Sequence, residues 1–202
     1  MIIHNVEQGT EEWLKLRELK LTASHGQEIA NNGKGLDTYV KKLVLSKINP
    51  NADRFYGFDM QRGDELEPIA RLKYEFERGV DVKEIGFVQY CNYSGYSPDG
   101  FVSDDGLIEI KARNDEKHLD LILTDKIDTK TIWQMQTGLL MTKRKWCDFI
   151  SYNPNFGEKS LYVKRVFKDE EKFKALDIGL ASGKVKLVKL LNNDKIQMLI
   201  NG

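Results

Sequence analysis

Two cysteines in 202 residues, Cys91 and Cys147, have neither the number nor the spacing of a zinc site or a disulfide framework. A reducing, intracellular setting is the simplest reading. An excess of one charge is also missing: Lys plus Arg and Asp plus Glu each number 31, so the chain is formally neutral. That argues against a general nucleic-acid coat protein, which would be basic. A local basic groove stays compatible with it. The four prolines form no linker, and there are no repeats or low-complexity segments. No apolar run approaches the length that crosses a bilayer, so no membrane role is expected. The amino terminus, MIIHNVEQGTEEW, has no basic and then apolar segment, so no signal peptide is expected. At 41% hydrophobic content, the sequence predicts one globular domain over residues 1–202 with a real core.

The most informative stretch runs from Tyr96 to Arg113, YSPDGFVSDDGLIEIKAR. Gly100 to Val102 and Leu107 to Lys111 read as two strands of a hairpin, with Asp105-Gly106 supplying the turn. Side chains alternate along a strand, so Leu107, Glu109 and Lys111 share one face while Ile108 and Ile110 point to the other, toward a core. Asp99 and Glu109, brought together across the hairpin, make a hard, anionic oxygen site of the kind Mg²⁺ prefers. Lys111 beside them would polarise a water or hold a phosphate oxygen. A surface hairpin with an ordinary Glu–Lys pair accounts for the same local pattern.

Along the rest of the chain, Thr10 is a fitting N-cap for a helix to Glu18, with Trp13, Leu14 and Arg17 at helical spacing. Ser24 and Gln27 read as a capping box that starts a second helix. A helix start beside Arg17 would suit a phosphate, although a plain cap and a solvated arginine fit equally. Asp37 is expected to cap a helix through Lys47 with Tyr39, Val40, Leu43, Val44 and Ile48 as its apolar stripe. Phe55, Tyr56 and Phe58 sit in a polar, loop-like stretch, suited to stacking on bases or to packing under the loop. Gln61 to Arg78 reads as a charged helix, kinked or begun near Pro68, with Leu66, Ile69, Ala70, Leu72 and Phe76 as its buried side. Strands are expected at Val80 to Val82, Ile85 to Tyr90, Phe149 to Tyr152 and Leu161 to Val163. Helices are expected at Asp115 to Leu123, Thr131 to Met141 and Glu170 to Leu191, the last weakened by Gly179 and Gly183. Lys143-Arg144-Lys145 would meet phosphates, or simply suit a helix C-terminus.

Pro98-Asp99 followed by Glu109-Ile110-Lys111 resembles the PD-(D/E)xK nuclease superfamily. Within it, the strings SPDG, IEIKA and WQMQTGLLMT resemble the phage lambda exonuclease, or YqaJ-type viral recombinase, branch. Gly9, Trp13 and Arg17 followed by Thr22-Ala23-Ser24 match that branch's opening pattern. Gly63, Glu67 and Ala70-Arg71 match a second motif, with Glu65 off its register. The five motifs stand in order from Gly9 to about Phe167. Two departures accompany them: Ala112-Arg113 stands where relatives often place a proline soon after the lysine, and the carboxy-terminal tail matches no motif.

The resemblance implies an α/β, restriction-endonuclease-like core, a central mixed β-sheet flanked by α-helices. It implies a Mg²⁺-dependent 5′→3′ exonuclease on linear double-stranded DNA, with Mn²⁺ as a substitute, that leaves a 3′ overhang for single-strand annealing. Asp99, Glu109 and the Ile110 carbonyl would bind metal, Lys111 would activate water and Glu67 would orient it. Arg17 and Ser24 would grip the 5′ phosphate, and Gln134 would contact the active site or DNA. Double-stranded DNA ends, a homotrimer ring, a single-strand annealing partner and a phage or prophage setting in a bacterial cytoplasm are further implications. A restriction- or repair-type endonuclease of the same superfamily, and a non-catalytic DNA-end-binding module, are the alternatives.

Overall fold

The seven-residue strand β7 (Gly106–Ala112) lies at the centre of the larger of two sheets. Its neighbours are β6 (Gly100–Val102), antiparallel, and β8 (Trp146–Tyr152), parallel. The sheet continues through β3 (Val82–Lys83) on one side and β9 (Leu161–Phe167) on the other, giving the order β3-β6-β7-β8-β9. Parallel neighbours need a crossover, here α5 (Asp115–Thr124) and α6 (Thr129–Thr142). A second, four-stranded sheet has the order β1-β4-β5-β2, built from β1 (Ile2–His4), β4 (Phe87–Cys91), β5 (Ser94–Tyr96) and β2 (Leu21–Thr22). The single central sheet expected from the sequence is therefore two mixed sheets flanked by helices. This computed structural model describes residues 1–50 and 58–201. Phe55 and Tyr56 lie outside the described residues. No described helix is long and apolar enough to cross a membrane.

Both faces of β7 are covered. Leu107 packs with Met135 and Leu139 of α6 in the larger core cluster. Ile108 and Ile110 pack on the other side with Ala70 and Tyr74 of α4 (Phe58–Arg78). Glu109 is 0% exposed, which only a partnered carboxylate tolerates.

The hairpin strands fall where expected, but the turn works differently. Val102 pairs with Gly106, leaving Ser103 to Asp105 as the loop, and Ser103 takes the left-handed conformation at φ 50°. Gly106 begins β7 instead of turning the chain. A Cβ there would stand 2.2 Å from the Trp146 ring, so the residue is small to admit that ring. Arg144 holds the loop: its Nη1 donates to the carbonyls of Ser103 and Gly106 at 2.9 and 2.8 Å, with its guanidinium over Phe101. Lys145 pairs with Asp105. In the structure both of these basic residues bond the hairpin.

Helix α4 continues through Pro68 and buries only part of the stripe predicted, Leu66 and Ala70. Leu66, Ala70 and Tyr74, at i, i+4 and i+8, face the sheet, and the Tyr74 hydroxyl donates to buried Asp148 at 2.8 Å. Ile69, Leu72 and Phe76 are 49, 67 and 89% exposed. Apolar residues stand on both faces, and the anchoring tyrosine carries a polar tip, so apolarity alone finds Leu66 and Ala70 but misplaces Ile69, Leu72 and Phe76.

Helix α1 (Glu11–Arg17) has Thr10 as its cap, accepting from the Trp13 N–H, as expected. The capping box at Ser24 does not form. Residues Ala23–His25 make a 3-10 turn, and α2 (Gly26–Asn31) starts after it with no side-chain cap. Helix α3 (Lys34–Ile48) begins at Gly33 and Lys34, a turn before Asp37, whose carboxylate pairs with Lys186 instead. Its stripe of Tyr39, Val40 and Val44 is buried. Helix α7 (Glu170–Leu191) packs across α2 and α3. Gly179 permits that approach, because a Cβ there would lie 1.9 Å from the Ile29 carbonyl oxygen. A short α8 (Asp194–Asn201), absent from the sequence prediction, closes the described chain.

Candidate active site

Asp99 stands one residue before β6, and its Oδ2 accepts a hydrogen bond from the Ile110 N–H at 2.6 Å. The contact crosses the hairpin and fixes Asp99 against the strand that carries Glu109. Glu109 Oε1 accepts from Lys111 Nζ at 2.5 Å and from Gln134 Nε2 at 2.6 Å, and its Oε2 accepts from the Tyr96 hydroxyl at 3.2 Å. Strand alternation thus sets Glu109 and Lys111 side by side, and α6 delivers Gln134 from above.

Glu67 enters from α4, with Arg71 Nη2 one turn along at 2.6 Å from its Oε1. The other end of that guanidinium pairs with Glu84 at 2.7 Å. Glu65 points away, held by Gln61 on the exposed side of the helix.

Burial and neighbouring charge raise the cost of ionising Asp99 and Glu67. Burial, then the charges of Glu109 and Glu67, push the Asp99 carboxyl well above its ordinary range. Burial raises Glu67 as well, against the pull of Arg71, and Glu109 adds to the rise. Burial opposes charge on Lys111, yet Glu109 and Asp99 outweigh it and hold the ammonium above its usual value. Lys111 and Arg71 each already serve a glutamate, and among the described residues Asp99 accepts one hydrogen bond, from the Ile110 N–H.

A hard divalent cation fits this donor set. Its charge would relieve the repulsion that now falls on Asp99, and carboxylate oxygens are its preferred ligands. Among the described residues, no three His, Cys, Asp or Glu side chains converge on one ion position. An ion between Asp99 and Glu109 would therefore complete its shell with a main-chain carbonyl and waters, as Mg²⁺ commonly does.

Beside the carboxylates lies a cavity of about 190 Å³, lined by Trp13, Arg17, Ser24, Tyr96, Ser97 and Gln134 among others. The Arg17 guanidinium lies 4.3 Å over the Trp13 ring, and its Nη1 donates to Ser97 Oγ at 2.9 Å. Burial lowers its pKa, and among the described residues no carboxylate pairs with it. A desolvated cation without an anion is a site for one. The Trp13 indole N–H also donates to Ser97 Oγ, at 2.9 Å. Ser97 Oγ so accepts twice, and its own proton remains available to the cavity. Ser24 sits on the same wall, its Oγ 3.2 Å from Thr22 Oγ1.

The structure thus brings Asp99, Glu109, Lys111, Glu67 and Gln134 into one cluster, and Arg17 and Ser24 into the adjoining cavity. Tyr96 and Gln134 belong to both. The sequence reading gave no role to Tyr96, Ser97 or Gln8, whose Nε2 donates to the Pro98 carbonyl at 2.9 Å, just before Asp99. Its place in the SPDG string was the available signal for Ser97. Gln136, the second glutamine of the helix, is structural: it bonds the Phe167 carbonyl and the Asp169 N–H.

Comparison with known proteins bears on the fold and the family. An alkaline exonuclease, LHK-Exo from Laribacter hongkongensis, is 32% identical, covers 95% of this chain and 97% of its own, and superposes with a TM-score of 0.83. The same enzyme has also been seen in complex with dAMP. A phage-related exonuclease from Haemophilus somnus shares the fold at 14% identity, covering 88% of this chain and 97% of its own, with a TM-score of 0.67. No curated protein matches the chain. Residues 12–145 match the YqaJ-like viral recombinase domain. With its restriction-endonuclease-like architecture and clustered carboxylates, the chain belongs to the YqaJ-like viral recombinase family of nucleases.

Proposed function

We propose that this nuclease is a Mg²⁺-dependent 5′→3′ exonuclease that degrades one strand of linear double-stranded DNA and leaves a 3′ overhang for recombination by annealing. The observation that carries the reading is the shared wall between the two halves of the site. Gln134 both lines the Arg17 cavity and donates to Glu109. A phosphate held by Arg17 would therefore lie beside the carboxylate cluster, as the terminal phosphate of a strand end cut there requires.

Asp99, Glu109 and the Ile110 carbonyl would hold the cation, which supplies Lewis acidity and lowers the pKa of a water. Lys111, charged and pinned to Glu109, stabilises negative charge that develops as the phosphodiester is attacked. Glu67, reaching the cluster from α4, orients the attacking water. Arg17 grips two oxygens of a terminal 5′ phosphate, with Ser24 and the free proton of Ser97 on the remainder.

The test compares linear with covalently closed circular duplex, each in Mg²⁺, Mn²⁺ or EDTA. Release of mononucleotides from linear duplex alone, abolished by EDTA, is the expected result. Cleavage of the closed circle would instead indicate an endonuclease. A homotrimeric ring and a single-strand annealing partner complete the proposed recombination setting in a bacterial cytoplasm, and sedimentation of the purified protein tests the first of these.

A further inference from the structure

Strand β7 ends at Ala112, but its alternation carries one step further. Arg113 donates its N–H to the Tyr152 carbonyl at 3.0 Å, continuing the ladder with β8. Its side chain thus falls on the face of Glu109 and Lys111. There Nη2 meets Asp128 Oδ2 at 2.6 Å and lies 3.5 Å from Thr131 Oγ1.

Asp128 is also the N-cap of α6. Its Oδ1 accepts from the Thr131 N–H at 2.9 Å and its Oδ2 from the Thr131 hydroxyl at 2.8 Å. Thr131 is buried, and Gln134 stands three residues on, along the same face of the helix. Helix and strand are therefore joined by two cross-links: Gln134 to Glu109, and Asp128 with Thr131 to Arg113. Lys111 lies between them. The second link combines an ion pair, a helix cap and a buried threonine, whereas the first is a single hydrogen bond. The Arg113 carbonyl is itself held by Arg62 of α4, so the arginine is anchored on both sides.

We infer that Arg113 and Asp128 are a positioning pair, which fixes the start of α6 over β7 and so sets Gln134 on Glu109. Neither residue touches the proposed strand end. The kinetic consequence rests on the nuclease reading above, while the geometric one does not.

Asp128→Asn keeps a capping oxygen for the Thr131 N–H while removing the charge and the acceptor that meets Arg113, and Arg113→Gln removes the charge from the other side. Each variant is made alone and together with Gln134→Ala. Single-turnover cleavage of 5′-phosphorylated linear duplex in Mg²⁺ is measured beside duplex affinity in Ca²⁺. Residues that orient the ligands of a site typically affect activity by about 10–100-fold. A loss of roughly tenfold in the cleavage rate is expected, with unchanged affinity and little further loss once Gln134 is gone. Losses that multiply with that of Gln134→Ala, or an equal loss of affinity, overturn the inference. A readout free of catalysis is the side-chain amide signal of Gln134 in ¹⁵N-labelled protein, identified by its disappearance in Gln134→Ala. It should shift in Asp128→Asn. A fixed signal overturns the inference even if no cleavage is ever seen, and absent cleavage beside a shifted signal would indict the nuclease reading alone.

Discussion

At the scale of single residues, the central feature is an unequal distribution of partners among buried charges. Glu109 has three donors, Lys111, Gln134 and Tyr96, whereas Asp99 has one backbone N–H. Asp99→Asn should therefore abolish cleavage yet raise the thermal stability of the metal-free protein near neutral pH. The sign follows from a carboxyl whose folded pKa lies above its unfolded one: its ionisation is resisted by the fold, so stability falls as pH rises through the folded value. Calorimetry in EDTA checks this, and a variant that melts lower would contradict the repulsion argued here. Lys111→Ala acts elsewhere. Its ammonium serves the charge on the reacting group, so turnover should fall much more than duplex affinity measured in Ca²⁺. A large loss of affinity with unchanged chemistry would make it a binding residue. Glu109 and Lys111 were legible in the sequence because alternation along one strand fixes their relation, and Asp99 because the hairpin brings it across to that strand. Ser97 was not given a role, because its task depends on Trp13 and Arg17 meeting it from a distant helix.

At the scale of elements, what the sequence could tell depended on whether local pattern or tertiary contact decides the structure. The β6–β7 hairpin and the cap of α1 are local, and they stand as expected. The buried stripe of α4 is not local. Ala70 and Tyr74 were chosen by the sheet they meet, and Phe76, apolar but 89% exposed, misled the apolarity count. Gly179 is similar. It reads as a helix-weakening residue, yet it is where α7 crosses the Ile29 carbonyl. Gly179→Ala, a gain in helix propensity, should destabilise the protein by about 1–3 kcal/mol, the usual cost of overpacking. An unchanged or higher melting temperature would contradict the close contact. The cap of α6 makes a pH prediction. The Asp128 carboxyl, though partly buried, is drawn from an ordinary 3.8 down to about 2 by Arg113 and Thr131. A depressed carboxyl stabilises the fold above its unfolded pKa and ceases to as pH falls through the folded one. The stability difference between the wild type and Asp128→Asn should accordingly be full at pH 5 and shrink toward pH 2 in urea unfolding series. A difference independent of pH would place the effect outside that ion pair.

At the scale of the whole molecule, the two sheets divide the work. The five-stranded sheet, through β6 and β7, carries the carboxylates, while Tyr96 and Ser97, at the end of the four-stranded sheet's β5, form part of the cavity wall. Segment Ser97 to Asp99 joins them, so the anion cavity and the carboxylate cluster cannot shift independently. The fold class was legible from the motif order, whereas the split into two sheets was not, since β2 and β5 are too short to register as strands in sequence. The proposed function requires that a terminal phosphate be held at Arg17 while the same strand is cut beside it. A charged arginine–phosphate contact contributes roughly 1.5–3 kcal/mol, which at about 1.4 kcal/mol per tenfold is a ten- to hundredfold preference for phosphorylated ends. The decisive measurement is the ratio of cleavage rates on 5′-phosphate and 5′-hydroxyl linear duplexes, in the wild type and in Arg17→Ala. The account predicts a large ratio that falls close to one in the variant, mainly because the phosphorylated substrate slows. Equal slowing of both substrates, with the ratio unchanged, would contradict it.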